Sequence, residues 1–181
     1  KSYNEFLEKG GELSKSIRFQ KFIDVVNTSQ VALRDNLYQR AKLLLEKDVL
    51  VSVLGGDHSV PLGLIMALND KYESFGILQI DAHCDLRKSY QEFEQSHASI
   101  IYNILQTCKN VTKIVQLGVR DFSQEEYDYS LNSDRVISYF DSVLKEKKFS
   151  GNTWDEQVVK ILSDLPQNVY ISFDIDGLNP M

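Results

Sequence analysis

The chain has 181 residues, 43% of them hydrophobic and 25% charged, with a formal net charge of −6. That length favours one domain with a real core, and the composition is that of an ordinary soluble globular chain, suggesting neither disorder nor a membrane protein. Scattered Lys and Arg with a negative balance also argue against a nucleic-acid groove.

In chain order, residues 1–10 lack the basic start and apolar middle of a signal peptide. Residues 19–26 form a short apolar stretch of unassigned type. Residues 30–46 read as a helix, with Leu33, Leu37, Ala41 and Leu44 recurring at intervals of three and four. A strand is expected over 49–54, ending in Gly55-Gly56-Asp57-His58-Ser59. The glycines permit a tight turn, and Ser59 with Pro61 suits the start of a helix running to about Asn69.

A second strand is expected over 75–80, then an irregular polar segment and a helix over 97–108. A third strand covers 113–119, followed by Ser123 as an N-cap three residues before Glu126. A short strand over 136–140, a helix over 153–165 and a last strand over 169–173 complete the pattern. Apolar strands alternating with helices predict an α/β fold, a mainly parallel sheet covered on both faces, in a single domain over 1–181.

Chemistry concentrates where the strands end. After 75–80 come Asp81, His83 and Asp85, whose i, i+2, i+4 spacing puts three side chains on one side of an extended segment. His58 follows the first strand, and Asp174 and Asp176 follow the last. Ligands of open parallel sheets bind beyond the carboxyl ends of the strands, so these groups are expected to share one crevice. Of the three histidines, two lie in these motifs and the third, His97, sits in Ser96-His97-Ala98 close behind. Cys84 and Cys108 form neither a disulfide framework nor a Cys-x-x-Cys pair. A reducing cytoplasm is therefore expected, with Cys108 in the core and Cys84 a spacer.

Gly-Gly-Asp-His58-Ser, Asp81-Ala-His83-Cys-Asp85 and Ser172-Phe-Asp174-Ile-Asp176-Gly together resemble the metal motifs of the ureohydrolases, the family of arginase and agmatinase. The resemblance covers roughly residues 50–180. It implies a three-layer α/β/α fold and two Mn2+ ions. His58, Asp81, Asp85 and Asp174 would hold one ion, and Asp81, His83, Asp174 and Asp176 the other, with Asp81 and Asp174 shared. Oxygen-rich donors with some imidazole suit such a hard ion. A metal-activated water would attack a guanidinium carbon, releasing urea, with Asp85 hydrogen-bonding that water and His97 shuttling protons.

Residues 86–96 lack the Asn- and Thr-rich character of the arginase loop. Ser96-His97-Ala98 and the 116–126 segment resemble agmatinase-type sequences, which makes agmatine the expected substrate and arginine or guanidinobutyrate the alternatives. A regulatory relative that keeps the metal without catalysis is a further alternative. Metallophosphoesterases are disfavoured because their Gly-Asn-His-Asp element is absent, and aspartyl-phosphate enzymes because Leu178 stands where Thr or Val is needed. The resemblance further implies a homo-oligomer, a trimer or hexamer. Two departures stand out: Asn179-Pro180 replaces the family's Asp-Pro, and family members run on past Met181 with further strands. The segment by itself is therefore expected to be incomplete at its C-terminus, and unstable or inactive alone.

Overall fold

The computed structural model describes residues 29–47 and 49–178. The expectations for 1–10, 19–26 and Asn179-Pro180 lie outside these residues. In chain order the elements are α1 (Gln30–Leu45), α2 (Leu62–Lys71), β1 (Phe75–Ile80), α3 (Ile100–Thr107), β2 (Val111–Val119), α4 (Gln124–Asn132), β3 (Val136–Phe140), α5 (Asp141–Phe149), α6 (Trp154–Ser163) and β4 (Val169–Phe173). Single 3-10 turns at His97–Ser99 and Ile175–Gly177 lead into α3 and follow β4.

All strand pairs are parallel, in the order β3-β2-β1-β4. The chain therefore builds outward from β1 to β3 and returns to the other side of β1 for β4. That reversal is the topological switch point at which open α/β sheets form their crevice. It seats β4 so that Phe173 is opposite Ile80 and the Asp174 N–H donates to the Ile80 carbonyl at 2.9 Å. The residues following β1 and β4 thus leave the sheet side by side.

One sheet face packs Ile77, Ile114 and Val136 against Leu62 and Ile65 of α2 and Ile100, Ile101 and Ile104 of α3. The opposite face packs Leu78, Val115, Leu117 and Tyr139 against Leu144 of α5 and Ile161 of α6. α1 lies outside α2, with Ala41 and Leu45 against Leu64 and Ala67. Gly63 makes this approach possible, because a Cβ there would sit 2.4 Å from the Arg34 carbonyl. The helix starts follow their sequence signals: Ser123 and Thr153 form capping boxes with Glu126 and Glu156.

Two expectations need correction. Residues 49–54 run without regular structure, although Val51 and Val53 pack inward beside Tyr170 while Leu50 and Leu54 remain exposed. The period-two pattern of a strand is present, but no neighbouring backbone among the described residues pairs with it, and a strand exists only through its ladder. Coverage of both faces also fails at β4. Val169, Ile171 and Phe173 are all exposed, because α5 and α6 reach only the β1–β3 part of that face.

Candidate metal centre

The end of β1 is bent into a loop whose backbone is tied down on both sides. The Asp81 N–H donates to the Leu117 carbonyl, and the Ala82 carbonyl accepts from the N–H groups of Arg120 and Asp121. Asp85 has a φ of 53°, a left-handed conformation rare outside glycine, and its carbonyl accepts from the N–H groups of Ile101 and Tyr102. The buried Glu126 carboxylate accepts from the Leu86 N–H, the Arg87 guanidinium and both the N–H and hydroxyl of Ser123. The start of α4 is thus pinned to the loop that carries Asp85.

After β4, the Asp174 and Asp176 segment is pressed against the same loop. A Cβ on Gly177 would lie 2.8 Å from the Asp81 nitrogen, so only glycine allows this contact. The Ala82 N–H donates to Asp176 Oδ1 at 3.1 Å. Arg120, just past the end of β2, clamps the segment by donating to the carbonyls of Asp176 and Leu178.

These supports bring together Asp57, His58, Asp81, His83, Asp85, His97, Asp174 and Asp176, which line an open cavity of about 190 Å³ with Gly56. His58 Nδ1 lies 2.9 Å from Asp81 Oδ2, 2.9 Å from Asp85 Oδ2 and 3.4 Å from Asp174 Oδ2. Its other nitrogen, Nε2, is 2.8 Å from the Ser172 hydroxyl, which fixes the ring. His83 Nδ1 lies 3.4 Å from Asp81 Oδ1 and 3.1 Å from Asp176 Oδ2. Donor atoms of His58, Asp81 and Asp174 fall within 4.8 Å of one another, and so do those of Asp81, His83 and Asp176. Asp81 belongs to both groups, one oxygen turned toward each. His97 stands at the rim, its Nδ1 3.5 Å from Asp57 and its ring edge-on to Tyr90.

The electrostatics of the bare cluster are those of crowded carboxylates. Burial opposes a charge on His58, but the adjacent Asp81 and Asp85 carboxylates outweigh it and raise the imidazole to about 10. Asp85 is pushed up to about 6, first by burial and then by the nearby Asp81 charge, against the pull of His58. Such a cluster favours bound positive charge. Four carboxylates and two imidazoles, with no thiolate, form a donor set that fits two hard divalent cations. Cys84 is buried, and burial with the surrounding carboxylates pushes its thiol up to about 12.

Every site residue named from the sequence lies at this cavity. Sequence reasoning missed their supports: Gln79, which donates to Asp81 and Asp85, together with Glu126 and Arg120. The signals available were a lone glutamine inside the apolar run of β1 and the cap spacing of Ser123 and Glu126, neither of which shows the role as a support.

The chain matches the model of the arginase family over residues 3–181. It is 35% identical over 127 residues to the N(1)-aminopropylagmatine ureohydrolase of Thermus thermophilus, covering 70% of this chain and 40% of that protein. It is 30% identical over 141 residues to the agmatinase of Halalkalibacterium halodurans, covering 77% of this chain and 44% of the relative. The fold is similar to the crystal structure of the agmatine ureohydrolase of Thermoplasma volcanium, with a TM-score of 0.69 at 24% identity over 84% of this chain and 48% of that one. The chain spans about half the length of the curated relatives it matches, or less. On its motifs, its sheet and this match along nearly its whole length, the chain belongs to the arginase family.

Proposed function

We propose that this chain carries the metal-binding part of a ureohydrolase that cleaves a guanidino substrate, with agmatine, hydrolysed to putrescine and urea, as the substrate. The single observation behind this reading is Asp81, whose two oxygens face two separate groups of donors. His58, Asp81, Asp85 and Asp174 would hold one ion, and Asp81, His83, Asp174 and Asp176 the other. Two Mn2+ ions held there would supply charge neutralisation and lower the pKa of a water toward neutrality.

The chain's own residues do the rest. The clamp formed by Gly177, Arg120 and Glu126 holds the carboxylates in place before substrate arrives. Asp85, nearly buried, accepts a hydrogen bond from the attacking water and orients it. His97 faces solvent and the cavity together. Half-exposed at the rim beside Asp57, its imidazole is placed to exchange protons with the departing amine. The two relatives named above act by name on agmatine or its aminopropyl derivative, and the 86–96 segment lacks the Asn- and Thr-rich character of the arginase loop that binds an amino-acid head group. Both support agmatine over arginine. In the intact protein we assign a cytoplasmic homo-oligomer, a trimer or hexamer.

The test is urea release by the intact protein with Mn2+ on agmatine, aminopropylagmatine, arginine and guanidinobutyrate. Agmatine or its aminopropyl derivative is expected to lead by tenfold or more, on the order of one well-placed interaction. Equal rates on arginine would overturn the substrate assignment, and no urea from any of them the ureohydrolase reading. His97→Asn is expected to lower kcat by about 10²- to 10⁴-fold, the span of general acid–base catalysis, while leaving metal content unchanged.

A further inference from the structure

β1 contains one polar side chain that is wholly buried, Gln79, in a strand otherwise built of apolar residues. Its neighbours in register are Ser172 on β4 and Gln116 on β2, and Gln116 is in turn opposite Ser138 on β3. One row across all four strands is therefore polar, in the last part of the sheet before the cavity. Ser172, Gln79 and Gln116 are all buried.

The hydrogen bonds in this row run in one direction. The Ser138 hydroxyl donates to Gln116 Oε1 at 2.7 Å. Gln116 Nε2 donates to Gln79 Oε1 and to the Cys84 carbonyl, each at 2.7 Å. Gln79 Nε2 donates to Asp81 Oδ2 at 2.9 Å, with Asp85 Oδ2 at 3.4 Å and the His83 carbonyl at 3.5 Å as its longer partners. A carbonyl and two carboxylates can only accept, so both amides are locked in these orientations. The row is a chain of donors that ends on two carboxylates.

The chemistry of that end is informative. Asp81 Oδ2 and Asp85 Oδ2 both lie 2.9 Å from His58 Nδ1, so two negative charges are crowded into a dry space. A neutral amide bridging them holds their oxygens together without a positive charge that would compete with a cation and without a proton to lose. Hydrogen bonding offsets the cost of burying these amide and hydroxyl groups, and it also fixes their orientation in a way an apolar row could not.

We propose that Gln79, braced by Gln116 and Ser138, is a positioning residue that sets the Asp81 and Asp85 carboxylates in the orientation that receives a divalent cation. This rests on the divalent-metal reading given above. Gln79 touches neither substrate nor reacting atoms and acts through the two carboxylates.

The test is Mn2+ affinity of the intact protein, measured by calorimetry and by the electron paramagnetic resonance signal of free Mn2+. Gln79→Leu keeps the volume and removes both donors. It is expected to weaken Mn2+ binding about 10- to 100-fold, the usual effect of losing a partner that orients a ligand. Ile77→Val, two residues back on the same strand, is expected to bind Mn2+ like the parent. Ser138→Ala, at the far end of the row, is expected to lose about two- to fivefold, with a less than additive effect when combined with Gln79→Leu. A folded Gln79→Leu protein within twofold of the parent, or an Ile77→Val loss equal to it, would overturn the proposal. If Gln79→Leu fails to fold, Ser138→Ala decides: a loss supports the row and parent-like affinity refutes it. Failure of the parent itself to bind Mn2+ would refute the metal reading instead, which keeps the two claims separable.

Discussion

The two halves of the centre are built from the same residue types but in different surroundings. Around His58, whose side chain is 10% exposed, the Asp81 and Asp85 carboxylates are sealed in and bound by Gln79 and Ser172 holds the ring. Around His83, 46% exposed, the partners are the outer oxygen of Asp81 and the 42% exposed Asp176. The difference teaches that orientation is supplied by the sheet on the inner side and by loop-to-loop clamping on the outer side. The inner group should hold its cation more tightly, since its charges are less hydrated and its donors are fixed in advance.

Asp81→Asn probes the residue common to both halves, and its effect is expected to be the largest. Both ions should be lost or weakened together, with activity falling by more than the ~100-fold that orienting partners contribute. Metal content by mass spectrometry and urea release check this. Next, His58→Ala and His83→Ala separate the halves. The first should abolish the tighter Mn2+ binding step and the second only the weaker, so a titration showing equal losses would remove the asymmetry.

Gly177→Ala attacks the outer clamp. The added methyl meets the Asp81 nitrogen at 2.8 Å, so the segment must shift, at a cost of about 1–3 kcal/mol typical of overpacking. Thermal melting should show a lower Tm, and Mn2+ titration should show the weaker step affected more than the tighter one.

The smallest effect is expected away from the centre and serves as its reference. The Lys160 ammonium, then the Tyr139 hydroxyl, hold the Asp164 carboxyl below its ordinary value of 3.8. A lowered folded-state value contributes stability that is present above 3.8 and lost as pH falls through the lowered value. Tyr139→Phe removes one donor, so its Tm should fall slightly below the parent's at neutral pH and converge with it in acid. Metal binding should not change at any pH.

Much of this was legible in the residues and some was not, for physical reasons. β3 and β4 match their expected bounds, and β1 does as well, because short apolar runs between polar turns leave few alternatives. The ends of those strands advertise the centre, since Asp and His in such numbers past a strand have few other uses. In residues 49–54, alternation marks an inner and an outer side, but a ladder depends on a partner elsewhere in space. α5 escaped notice because its burial rests on Leu144 alone and no capping side chain marks its start. Gln79 and Gln116 look like interruptions of apolar strands until register places them in one row. Glu126 reads as one end of a capping box, and only the fold reveals that the same carboxylate holds the loop after Asp85.

Everything proposed for this centre requires that one carboxylate, Asp81, serve two divalent cations. Anomalous diffraction from Mn2+-loaded crystals of the intact protein tests it most directly. Two peaks are expected about 3.5–4 Å apart, the spacing of paired-metal sites, one beside His58 and one beside His83, with Asp81 between them. A single peak, or two peaks of which only one touches Asp81, would contradict it.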